Sequence, residues 1–241
     1  MGMKKLSVEK YEKDVVKAIK AFWKTRDAQQ KGIKKSDQGN RGSVTGGKQL
    51  DGFIEIMVKV SRDLGIPQDC IYTRDNVLPG FFRPSKDWDF LIVSPSKQLI
   101  AVVEFKSQVG SFGNNFNNRT EEALGSAVDL WTAFKERTFS QKLVPWLGYV
   151  IIVEEAPKSS SKVRNNEPLF RVRSEFRNTS YLDRYKLFCQ KIVLERHYTA
   201  SALIVTSASM KYNCPSDEIS FESFLLSFMG FVQGKLKNFS A

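Results

Sequence analysis

Histidine is almost missing from this chain. His197 stands alone among 241 residues, which argues against Ser-His-Asp relays and multi-histidine metal centres. Cysteine is scarce too. Cys70, Cys189 and Cys214 are far apart and no Cys-x-x-Cys occurs, so neither a disulfide framework nor a zinc site is expected, only reduced, buried thiols. No run approaches the roughly 18 consecutive apolar residues of a membrane span. The N-terminal MGMKKLSVEKYEK has no apolar stretch after its lysines, which predicts no secretory signal, no membrane and a cytoplasmic location. The phosphate-loop pattern GxxxxGK[ST] is missing as well, so nucleotide-driven chemistry lacks its usual cradle.

Acidic residues are the last shortage. The formal net charge is +11, and residues 1–35 hold eleven Lys/Arg against four Asp/Glu. Residues 156–200 hold ten against four. Two basic segments suit a polyanion, most often nucleic acid, although a solvated lysine-rich surface has the same composition. With 41% hydrophobic residues the chain can fill one large domain.

Periodicity supplies the order of elements. Val8, Tyr11, Val15, Ala18, Ile19, Phe22 and Trp23 form one helical stripe over 8–23. Residues 31–49, with five glycines and no period, predict a Gly-rich loop or arm. A second helix follows over 50–64, stopped by Gly65 and Pro67. WDFLIV (88–93) and LIAVVEFKS (99–107) read as a hairpin. Asn118 with Glu121 resembles a capping box opening a third helix. Strands at 147–154 and 200–206 alternate with helices at 180–197 and from 221 on, and 157–178 is a basic loop. The order α, α, β, β, α, β, α, β, α predicts a single α/β domain across 1–241, with a mixed central β-sheet flanked by helices on both faces.

The informative stretch is IAVVEFKSQ (100–108). Its start is apolar enough to be buried on both faces, yet Glu104 and Lys106 stand at its end. A turn centred between Ser96 and Lys97 sets Asp89 opposite Glu104, and strand alternation points Lys106 to the same side. A register slip of one residue would separate them. Two carboxylates this close repel each other unless a cation intervenes. Lys106 can neutralise one charge, and Mg²⁺, which takes carboxylate oxygens, water and phosphate, would serve better. A lysine beside the ion can orient water and offset developing charge. A plain cross-strand ion pair at a sheet end would look the same, so the pattern by itself is weakly specific.

Asp followed by Glu-x-Lys on adjacent strands resembles the PD-(D/E)xK nuclease superfamily, although RPSKDWD (83–89) lacks the Pro-Asp dipeptide. The continuation VEFKSQVGSFGNNFNNRTEEALGSAVDLWTA, with GGKQLDGF and LPGFFRPSKDWD before it, is similar to the XhoI family of type II restriction endonucleases. That resemblance runs over about 39–190 and lacks one family proline between Gly110 and Ser111. It implies a restriction-endonuclease-like core and a Mg²⁺-dependent homodimer that cuts double-stranded DNA at a palindrome. The site would be CTCGAG, cut after the first C to leave a four-base 5′ overhang, with a cognate DNA methyltransferase as functional companion. Asp89, Glu104 and Lys106 would be catalytic. Asp89, Glu104 and Phe105 would contact the metal, and Asp51 or Glu55 would add an outer contact. Asn114, Asn115, Asn117, Asn118 and Arg119 are placed to read bases, because Asn pairs with adenine edges and Arg with guanine edges. The same asparagines could merely shape turns. Arg164, Arg171, Arg173 and Arg177 would grip phosphates. Two other readings share these residues: a repair or junction-resolving nuclease on the same core, and a DNA-binding module without catalysis.

Overall fold

Apolar residues on both sides of a strand require a layer on each side, and the central strands here have them. The computed structural model describes residues 7–33 and 48–239. The larger part of the expected Gly-rich arm, residues 34–47, lies outside the described residues. Helix α1 (Glu12–Ile33) and α2 (Asp51–Asp63) come first. Strand β1 (Ile71–Tyr72) leads to a hairpin of β2 (Val77–Pro79) and β3 (Ser85–Asp87). Then follow β4 (Phe90–Val93), β5 (Leu99–Gln108), α3 (Phe112–Lys135) and β6 (Trp146–Glu154). The short α4 (Pro157–Ser160) opens the basic loop, and α5 (Tyr181–Leu194), β7 (Ala200–Thr206), β8 (Tyr212–Asn213) and α6 (Phe221–Gln233) follow.

Six strands form one sheet in the order β1-β4-β5-β6-β7-β8, with the β2–β3 ribbon apart from it. The pairs β4–β5 and β1–β4 are antiparallel, β5–β6–β7 are parallel, and β8 closes the far edge antiparallel. Alternation sorts the strand residues between two cores. Ala101, Val103 and Phe105 join Phe22, Phe53, Phe224 and Phe228 of α1, α2 and α6. Val102 joins Ala123, Ala127, Tyr185 and Ile192 of α3 and α5 on the opposite face. The expected mixed sheet with helices on both faces is therefore present. Among the described residues no helix is long and apolar enough to cross a membrane. The three thiols are free, with Cys70 and Cys189 buried and Cys214 half-buried.

Two helix starts follow their sequence signals. The Ser180 Oγ accepts the Asp183 N–H (3.1 Å) while the Asp183 carboxylate accepts the Ser180 N–H (2.9 Å), a capping box that fixes the start of α5. Ser220 caps α6 by accepting the Ser223 N–H at 3.0 Å. Helix α3 corrects the expectation for Asn118. It opens at Phe112, after Ser111 in the left-handed region (φ 44°), so Asn118 and Glu121 lie well inside it. The cause is tertiary. Phe112 stacks on Tyr181 at 6.1 Å and Phe116, one turn on, meets Tyr185 edge-on at 5.1 Å. Aromatic packing of this kind outweighs a local cap worth about 1 kcal/mol. Helix α1 likewise continues beyond the expected end at 23, into the segment read as the start of the loop.

Candidate active site

The register of the hairpin places the carboxylates. Phe90 pairs with Val103 and Leu91 with Val102, which sets Asp89, one residue before β4, opposite Glu104. The pairing shifts only at the far end, between Ile92 and Val93. The Asp89 N–H donates to the Val103 carbonyl (3.2 Å). Its carboxylate Oδ2 accepts the Phe105 N–H at 2.6 Å. Asp89 thus extends the ladder with its side chain just before β4 begins, and the main chain of Phe105 lies beyond the first β4 residue's partner, Val103.

Glu104 is 1% exposed and carries three polar partners. Its Oε1 accepts from Lys106 Nζ and from Lys86 Nζ, each at 2.9 Å. Its Oε2 lies 3.3 Å from the Tyr198 hydroxyl, whose single proton has the Ala123 carbonyl as a second, nearer acceptor at 2.9 Å. Burial pushes the Glu104 carboxyl up, but Lys106 and Lys86 more than offset it, and the net position is below the usual range. Asp89 moves the other way. Burial raises it, the Phe105 N–H and Lys106 pull it back only in part, and the Glu104 charge adds to the rise.

Asp89, Glu104, Lys106 and Phe105, the candidates from the sequence, are brought together by the fold. Lys86 and Tyr198 were not foreseen. Lys86 does stand in RPSKDWD, three residues before Asp89, and that spacing was the available signal. Tyr198 left none, because it reaches Glu104 from 94 residues away.

The remaining candidates lie around this centre. Gln49 Nε2 donates to Ser107 Oγ at 2.6 Å, docking the start of α2 beside the end of β5. Asp51 follows two residues later and is exposed, and Glu55 lies in the α1–α2 seam with Asp14, Lys17 and Lys59. Neither is tied to Glu104 or Asp89 by a hydrogen bond or ion pair among the described residues. Asn114, Asn117 and Asn118 are exposed on the first turns of α3, Asn115 is half-buried, and Arg119 pairs with Glu122 on the same helix. Arg164, Arg171, Arg173 and Arg177 are all exposed, with Arg173 paired to Glu175 at 3.0 Å. Asn114 and Arg164, fifty residues apart, line one cleft of about 710 Å³ with Lys158, Lys162 and Tyr181.

The residues fit a hard cation. Two carboxylates and a main-chain carbonyl are oxygen donors of the kind Mg²⁺ takes, with water and phosphate filling the remaining positions. Two ammonium groups already converge on Glu104 Oε1, so the fold is built to hold positive charge there. Among the described residues no three His, Cys, Asp or Glu side chains group around one point.

A six-stranded mixed sheet between helical layers has the architecture of a restriction-endonuclease-like core. The family model described as Restriction endonuclease XhoI matches residues 29–219. The chain belongs to the XhoI restriction endonuclease family. It is 47% identical over 206 residues to the type II restriction enzyme BstVI of Geobacillus stearothermophilus, covering 81% of this chain and 92% of that protein. It is 42% identical over 195 residues to the type II restriction enzyme XhoI of Xanthomonas vasicola, covering 79% and 78%. AbrI of Azospirillum brasilense is 43% identical over 172 residues, covering 69% and 77%. No solved structure matches the chain. Membership makes the protein a site-specific endonuclease of DNA restriction.

Proposed function

We propose that the Asp89–Glu104–Lys106 cluster is the catalytic centre and that it hydrolyses phosphodiester bonds of double-stranded DNA with Mg²⁺. The observation that carries this is the hairpin register, which sets two carboxylates and a lysine against one another at the end of a central strand. Asp89, Glu104 and the Phe105 carbonyl would hold the ion, which supplies charge neutralisation at the phosphate and a more acidic bound water. Lys106 would orient the attacking water and offset charge on the scissile phosphate. Asp51 or Glu55 would touch the ion only through water. The Asn114–Arg119 turns would present base-reading side chains to the major groove. Arg164, beside Asn114 in the shared cleft, would hold backbone phosphate, with Arg171, Arg173 and Arg177 along the same loop. The family resemblance supports CTCGAG as the site, cut after the first C with a 5′ overhang. A palindrome is read most simply by a two-fold homodimer cutting one strand per subunit. A methyltransferase of the same specificity would protect the host.

Digestion of a plasmid of known sequence tests this. Discrete fragments with mapped CTCGAG ends, formed with Mg²⁺ and lost in EDTA, are expected. Lys106→Ala should lower the rate by about 10²–10³-fold. A fully active Asp89→Ala or Glu104→Ala protein overturns the assignment of the centre. Cutting that follows DNA branching rather than sequence overturns the restriction reading in favour of a junction-resolving enzyme.

A further inference from the structure

Both ammonium groups at the site use the same carboxyl oxygen. Lys86 and Lys106 each lie 2.9 Å from Glu104 Oε1, and a carboxylate oxygen has two lone-pair directions to give. A cation cannot take that oxygen while both lysines stay.

The two lysines are held differently. Lys106 stands on β5, which is paired through Gln108 to β6, so its position relative to Glu104 is fixed by the strand. Lys86 stands on the three-residue β3, whose only strand partner among the described residues is β2. It also has somewhere else to rest. Its ammonium lies 4.6 Å over the Trp88 ring, and it donates to the Asp87 carbonyl at 3.3 Å. A lysine released from Glu104 keeps a cation–π contact and a carbonyl acceptor.

Charge points the same way. Asp89, Glu104, Lys86 and Lys106 sum to zero. A divalent cation added to that partly buried set leaves two positive charges uncompensated, and removing one lysine from it halves the excess.

We propose that Lys86 is a displaceable counter-ion: it occupies Glu104 Oε1 before the metal arrives, and metal binding releases it from that oxygen, leaving it on the Trp88 face and the Asp87 carbonyl that it already contacts. This rests on the metal reading of Asp89 and Glu104 given above. Lys86 is thus a positioning residue for the site, holding the carboxylates together without a metal and setting the affinity with which one enters.

Titration of the full-length protein with Mn²⁺, followed by its electron paramagnetic resonance signal without DNA, tests the exchange. Lys86→Met should bind Mn²⁺ about tenfold more tightly, the size of effect one neighbouring charge has on a carboxylate. Lys86→Arg, which keeps the competing charge, should bind no more tightly than the parent. A purely structural lysine would leave the affinity unchanged or lower it. Lys86→Met that binds Mn²⁺ equally or more weakly, with an unchanged far-ultraviolet circular dichroism spectrum, overturns the proposal. If methionine at 86 unfolds the hairpin, Lys86→Gln makes the same comparison with a polar side chain. Mn²⁺ binding that is indifferent to Glu104→Gln has a different signature: it overturns the metal reading itself, and the exchange falls with it.

Discussion

Asp89 and Glu104 are the same kind of group in the same site, and the fold pushes them in opposite directions. Glu104 sits below the usual carboxylate range because its two lysines outweigh burial, and Asp89 sits above it because burial outweighs one backbone N–H and a more distant charge. The sign of each pH effect follows. A depressed carboxyl stabilises the fold fully above its unfolded value near 4.5, and that contribution is lost as pH falls through the folded value. Glu104→Gln should therefore cost about 3 kcal/mol at neutral pH, the loss expected when a buried ion pair is broken from one side. The deficit should shrink as urea midpoints are taken to progressively more acid pH. A raised carboxyl works against the folded state while it is ionised. Asp89→Asn, which can still accept the Phe105 N–H, should be more stable than the parent at neutral pH, and this advantage should fade as acid protonates Asp89 in the parent.

At the scale of elements, the β2–β3 ribbon is anchored by one buried residue of α3. Asp129 Oδ1 accepts the N–H groups of Phe81 and Phe82 at 2.8 and 2.7 Å, and its Oδ2 takes Arg83 Nε at 2.8 Å. Gly80 is required there, since a Cβ would meet Asp129 Oδ2 at 2.3 Å. Asp129→Ala should lose about 3 kcal/mol in chemical denaturation, because three donors lose a charged acceptor. It should also loosen Lys86, which the same ribbon carries. The apolar run of β5 and its pairing with β4 were legible in the sequence, since a one-residue slip would have turned Asp89 and Glu104 to opposite faces of the sheet. β1, β2, β3 and β8 were not, because two or three residues are too few to show a period. The start of α3 was not legible either, because Phe112 and Phe116 are fixed by Tyr181 and Tyr185, some seventy residues later in the chain.

For the molecule as a whole, positive charge and exposed polar side chains meet at the cleft between α3 and the basic loop. Arg164→Ala should weaken DNA binding alike for cognate and unrelated duplexes and reduce the salt slope by about one unit, the mark of a phosphate contact. Alanine at a base-reading asparagine, with Asn114, Asn117 and Asn118 as the exposed candidates, should instead relax specificity at one base pair by about 1–3 kcal/mol. Competition binding across single-base variants of the site separates the two outcomes.

The sequence by itself determined the layer order, the central strand and three of the charged residues at its end, because alternation and apolar runs are local properties that pairing rules convert into geometry. Tertiary structure alone decided that a second lysine, from a ribbon outside the main sheet, shares the Glu104 oxygen, and that Tyr198 closes over the other. It also decided that the asparagines stand on a helix rather than in a loop. Each depends on contacts between segments far apart in the chain, where packing and charge outweigh the short-range preferences a sequence displays.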